Sequence, residues 1–189
     1  GQSTRMRGVD KLLQNIDGTP LLRRMAVMAC EASDTVLVAL PADPHPRWAA
    51  LNGLNLTCIA VADAAEGMNA SLRKGLAALP KDSDAVMVLL ADLANLTISD
   101  ICKVIQAVDT KTNTLIWRGA TADGKPGHPV VFHNALLPEL RALTGDSGAH
   151  SVVRAHVDQL ILVPLPEHNA RLDLDTPEDW ATWCKTQSR

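Results

Sequence analysis

The segment AVMVLLAD, residues 85–92, constrains the fold more than any other: seven apolar residues in a row, then an aspartate. A strand with one wet face alternates apolar and polar side chains, so a run without alternation belongs in a sheet covered on both faces. Such a sheet needs helices above and below it. The chain supplies them: TPLLRRMAVMACEA (19–32), a segment from about 69 to 79 and TISDICKVIQAV (97–108) carry apolar residues at helical spacing. TVLVALP (35–41) and LTCIAV (56–61) read as further strands between them. This alternation predicts an α/β fold with a mostly parallel sheet. Thr19 is expected to cap the first helix with Pro20 at its first position, and Thr97 the third, with Asp100 completing a capping box.

After Val108 the rhythm changes. Residues 114–133, TLIWRGATADGKPGHPVVFH, read as two strands around a polar turn, a β-hairpin added to the parallel pattern. NALLPELRAL (134–143) and SGAHSVVRAH (147–156) are expected helices, QLILVPL (159–165) a strand, LDLD (172–175) extended, and TPEDWATWCK (176–185) a closing helix capped by Thr176. With 189 residues and no linker, repeat or low-complexity tract, residues 1–189 are expected to form one domain.

Bulk properties narrow the function. A net charge of −3 argues against duplex DNA or an anionic membrane as the main partner. One Phe, four Trp and no Tyr leave little from which to build a stacking platform for single strands. Cys30, Cys58, Cys102 and Cys184 are dispersed, which suggests neither a zinc site nor a disulfide framework. With no apolar run of about 18 residues and no signal peptide, the expected location is the cytoplasm.

Ligands of open α/β sheets gather where strands give way to loops, and three segments stand out at such places. GQSTRMRGVDK (1–11) combines glycines, small polar donors and the cations Arg5, Arg7 and Lys11, which suits a polyphosphate; its plain alternative is a solvated terminus. Asp92, at the end of the apolar strand, is placed to bind a magnesium ion bridging phosphates, or simply to start a turn. Asp173 and Asp175, two apart, share one face of an extended segment; either could complete a metal site with Asp92, or Asp175 could help start the last helix.

Taken together, these segments resemble the MobA-like nucleotidyltransferases. GQSTRMRGVDKLL follows the GxSxRMGxxKLL signature with the second glycine displaced by one place. GMNASLRKGL (67–76) resembles the GMxxSLxxGL element of the molybdenum cofactor cytidylyltransferase branch, GHPVVF (127–132) its GHPVLF, GDSGAHSVV (145–153) its GDxGAR and LDLDTPEDW (172–180) its DIDTPEDL. The resemblance implies a three-layer, nucleotide-diphospho-sugar transferase-like sheet of the glycosyltransferase-A kind. It also implies an apolar first strand ahead of the glycine-rich loop, so about ten residues are expected upstream of Gly1.

It further implies transfer of a nucleoside monophosphate, CMP from CTP, to the terminal phosphate of molybdopterin, with magnesium as cofactor, pyrophosphate as leaving group and a molybdoenzyme as a possible recipient. In that scheme Gly1, Gln2, Ser3 and Thr4 cradle phosphates, Arg5 meets the β and γ phosphates and Lys11 the α phosphate. Asp92 and Asp175 hold the metal, with Asp173 as the other possible ligand. Gly67, Asn69 and Ser71 line the nucleotide and acceptor site, and His128, Asp146 and Ser147 are acceptor contacts. Asn69 and Ser71 could instead be caps, and His128 structural. Two departures leave alternatives open: Asp92-Leu93-Ala94 lacks the family's proline, and residues 61–64 lack its Asn-Pro-x-Trp-like run. GTP in place of CTP, another phosphorylated acceptor, or a non-catalytic carrier of the cofactor remain the rival readings.

Overall fold

The computed structural model describes residues 9–62, 67–172, 174 and 176–187. A small hairpin comes first, β1 (Asn15–Ile16) against β2 (Thr19–Pro20), turned by Asp17 and Gly18 at φ of 50° and 78°. Asp-Gly is a strong two-residue hairpin signal because both positions take positive φ readily. The hairpin draws Thr19 into a strand, so helix α1 (Leu21–Ala32) begins one residue later than expected and Thr19 does not cap it.

Strand β3 (Leu37–Pro41) follows, then a short helix α2 (Pro46–Ala50) and strand β4 (Thr57–Val61), which pairs with β3 in parallel. Helix α3 (Met68–Ala77) leads to β5 (Ala85–Val88), and α4 (Ile98–Gln106) starts at the expected capping box, with Thr97 Oγ1 and the Asp100 carboxylate each accepting the other residue's backbone N–H. The hairpin then forms from β6 (Ile116–Ala120) and β7 (Pro126–His133). Helices α5 (Leu137–Arg141) and α6 (His150–Ala155), strand β8 (Leu160–Pro164) and helix α7 (Pro177–Gln187) complete the order.

The main sheet runs β5-β7-β6-β8. β6 and β8 are parallel, whereas β7 is antiparallel to both β5 and β6, so the pairing is mixed. The hairpin is therefore integral, with its second strand through the middle of the sheet. β5 is shorter than its apolar run: the ladder ends at Val88 opposite Val130, since the next partner along β7 is Pro129, which has no N–H to donate. Leu89 to Asp92 thus leave the sheet as a loop, which is what carries the carboxylate out of the core.

Alternate side chains divide that sheet into two packed faces. Trp117, Val131 and Val163 lie with Leu21 and Met25 of α1, Ile101 and Val104 of α4, and Trp180 and Trp183 of α7. Ile116, Val130 and Phe132 face the other way, against Leu76 of α3, Leu140 of α5 and Val152 of α6. Helix, sheet and helix make the three layers. A third cluster joins Leu22 and Ala26 of α1 to Leu40 of β3 and Leu51. Each large side chain so enclosed contributes about 1.5–3 kcal/mol.

Candidate active site

Lys11 opens a single 3₁₀ turn, Lys11–Leu13, that Asp10 caps by accepting the Leu12 N–H at 3.0 Å. The same carboxylate takes a two-pronged contact from Arg47 of α2, at 2.7 Å from Nε and 2.8 Å from Nη2. Arg47 is buried. Burial by itself raises the Asp10 carboxyl, but the hydrogen bonds and charge of Arg47, the Leu12 N–H and nearby His45 outweigh it and hold the group below its usual value. Asp10 therefore fixes the turn and α2 in one geometry. The consequence is the placement of its neighbour.

Lys11 Nζ lies 2.6 Å from Asp92 Oδ2, with the two side chains 15% and 24% exposed. Residues 81 apart in sequence thus meet where β5 ends, both open enough for a ligand to reach. The turn after Asp92 lacks the proline expected of it. Its stiffness comes from packing, for Leu93, Ala94 and Leu96 are all but fully buried and the Leu96 N–H donates to the Leu93 carbonyl at 3.2 Å.

His128 stands near Asp92 on β7. Burial lowers its pKa, the charge of Arg118 adds to that, and the Val88 carbonyl and Asp92 pull weakly the other way. Its Nδ1 is buried with no hydrogen-bond partner among the described residues.

The second assembly is built around the start of α3. Gly67 has φ of 94°, and a Cβ on it would stand 2.0 Å from Asp146 Oδ1. That oxygen accepts the Met68 N–H at 2.6 Å, so the anion at this helix start is the chain's own carboxylate. Asn69 is fully buried; its Nδ2 donates to the Thr144 carbonyl at 2.8 Å while its Oδ1 has no partner among the described residues. Arg73 donates to the Leu143 carbonyl at 2.8 Å. The elements GMNASL and GDSG, 78 residues apart at the Met68–Asp146 contact, form one unit. Ser71 is half-buried on α3, and Ser147 is exposed beside Asp146.

Gly1, Gln2, Ser3, Thr4, Arg5, Asp173 and Asp175 lie outside the described residues. Among the described residues no three His, Cys, Asp or Glu side chains converge into a metal cluster. Magnesium is commonly held by one or two carboxylates with phosphate oxygens and water supplying the rest, so the hard oxygen donors of Asp92 fit it. Sequence reasoning missed Arg47, which nothing local marks, and Arg118 and Arg171, which read as ordinary surface cations. No helix among the described residues is long and apolar enough to cross a membrane.

The sequence profile of the MobA-like NTP transferase domain matches residues 1–160. The chain belongs to that family. Its fold is similar to Rv0371c from Mycobacterium tuberculosis H37Rv, with TM-score 0.82 and 25% identity over 98% of this chain and 93% of that one. It is also similar to Rv0371c solved in complex with manganese, with TM-score 0.76 and 23% identity over 96% and 94% of the two chains. A third similar structure, CMP:2-keto-3-deoxy-manno-octonic acid synthetase complexed with CTP, gives TM-score 0.75 and 12% identity over 98% and 93%. No curated protein matches the sequence. Membership in the NTP transferase family makes nucleotidyl transfer the chemistry of the chain.

Proposed function

We propose that this NTP transferase moves CMP from CTP onto the terminal phosphate of molybdopterin, releasing pyrophosphate. The observation that carries the reading is the Lys11–Asp92 pair at the end of β5. A carboxylate and an ammonium side by side match a metal–phosphate unit in the opposite order, cation on Asp92 and phosphate oxygen on Lys11. The GMNASL and GHPVVF elements favour molybdopterin as acceptor, and the CTP held by a protein of similar fold favours the cytidine nucleotide.

An oxygen of the acceptor phosphate attacks the α-phosphorus in line as the α–β bridging P–O bond breaks, and the electron pair leaves with pyrophosphate. No covalent bond to the protein is needed, so positioning and charge neutralisation carry the rate. Lys11 meets the α phosphate, and Gly1, Gln2, Ser3, Thr4 and Arg5 hold the remainder of the triphosphate. Asp92, with Asp175 or Asp173, would hold magnesium, which when bound would offset charge on the phosphate oxygens. Gly67, Asn69 and Ser71 line the nucleotide side, with His128 and Ser147 toward the acceptor. Asp146, engaged by Met68 N–H, acts there by shaping the loop.

Pyrophosphate release, measured with CTP and then GTP in the presence of magnesium and molybdopterin, tests this. Release with CTP supports it; release with GTP alone moves the specificity, and tight binding without release identifies a carrier. Lys11→Ala and Asp92→Asn should each lower turnover a hundredfold or more, about 3 kcal/mol of transition-state stabilisation, while the protein stays folded. Near-normal turnover in either variant refutes its assigned role.

A further inference from the structure

The tip of the β6–β7 hairpin and the chain beyond β8 enclose an open cleft of about 440 Å³, lined by Thr121, Lys125, His168, Arg171 and Leu172. Its charged lining is cationic. Arg171 donates from Nη1 to the Pro126 carbonyl at 3.4 Å and has no carboxylate partner among the described residues. Arg118, in the adjoining strand, donates from Nε to the Gly127 carbonyl at 2.8 Å and also lacks a carboxylate partner among them. Burial, and then the charge of Arg171, lower the pKa of Arg118. At the hairpin tip Asp123 is already engaged, for it accepts the Thr121 hydroxyl and pairs with Lys125 at 2.7 Å.

Two guanidinium groups held on the consecutive carbonyls of Pro126 and Gly127 repel, and the carbonyls orient them without neutralising them. An oxyanion between them removes the repulsion and accepts from both forks, a geometry that arginine suits and lysine does not. The cleft also lies at the functional end of the sheet. Val88 and Val130 are paired where β5 ends, and the Arg118 charge acts on His128, which in turn feels Asp92.

We propose that this cleft seats an oxyanion group of the acceptor, a phosphate or a carboxylate, gripped by Arg171 and Arg118 with Lys125 at the rim. The inference rests on the reading of the protein as a transferase to a phosphorylated acceptor, and makes the hairpin tip its recognition element. His168 supplies a local reporter. Its ring resonance is followed by NMR in the full chain, at fixed pH and ionic strength, during titration with inorganic phosphate and separately with acetate.

A saturable shift is expected in the unmodified protein and in Lys11→Ala, at least tenfold weaker in Arg171→Gln and in Arg118→Gln, and only partly restored in Arg171→Lys, which keeps the charge but not the fork. The anion that saturates at lower concentration tells phosphate from carboxylate. No saturable shift with either anion, or one unchanged in Arg171→Gln, overturns the proposal. In turnover with molybdopterin, Arg171→Gln should raise the acceptor KM at least tenfold and leave the CTP KM unchanged; an equal rise in both also overturns it. Failure of the unmodified protein to use molybdopterin at all would count against the proposed function while leaving the phosphate titration to decide the cleft.

Discussion

At the scale of single residues, the contact to test first is one that touches no substrate. Asp10→Asn removes a carboxylate that the buried guanidinium of Arg47 contacts at 2.7 Å. Removing one partner of a fully buried pair costs about 3–5 kcal/mol, and Asp10 keeps 22% exposure, so a loss of about 2 kcal/mol in urea unfolding is expected. Because the fold holds the Asp10 carboxyl below its usual value, the pair's contribution is complete above the unfolded value of about 4 and disappears as pH falls through the depressed one. Acid unfolding of Asp10→Asn should accordingly begin from a lower plateau and lose less as pH falls below about 4. His156 behaves in the opposite sense. The Glu139 carboxylate raises its pKa, so the small stabilisation it gives is present below about pH 6.5 and fades as pH rises through the raised value. Glu139→Gln should remove that pH dependence in melting experiments.

At the scale of elements, α3 and the loop at 144–148 stand or fall together. Gly67 combines a left-handed φ with a neighbour that leaves no room for a methyl group. Gly67→Ala should therefore destabilise by about 1–3 kcal/mol and push the Asp146 side chain away. Asp146→Ala removes only the cap on Met68, and about 1 kcal/mol is expected from thermal unfolding. If Asp146→Ala instead raises the acceptor KM with no loss of stability, its role lies with the ligand. The capping boxes behaved as local rules say they should: Thr97 with Asp100, and Thr176 with Asp179, form reciprocal contacts, and both were legible because three residues settle them. Thr19 was misread because the Asp17–Gly18 turn competes for the same residues and wins.

At the scale of the whole molecule, the three layers meet at the β6–β7 pair. Trp117 and Phe132, on opposite faces of the sheet, are each 1% exposed. Trp117→Ala should cost about 3–5 kcal/mol, and calorimetry should register it as loss of one cooperative transition rather than loosening of one helix. Long-range contacts such as Lys11–Asp92 and Asp10–Arg47 depend on those layers keeping their spacing, so a damaged core should weaken the site indirectly.

The amino-acid order alone determined what is local or repetitive: an unalternating apolar run demands a two-sided cover, small polar residues cap helices, and recurrent motifs mark the family. Only the tertiary structure decided which strand lies in the middle, that Arg47 secures the turn bearing Lys11, that Asp146 occupies the start of α3, and that Arg118 and Arg171 donate to neighbouring carbonyls beside one cleft. The reason is physical. Periodicity and capping act over three or four residues, whereas these placements join side chains 37 to 81 positions apart, whose approach no neighbouring residue encodes.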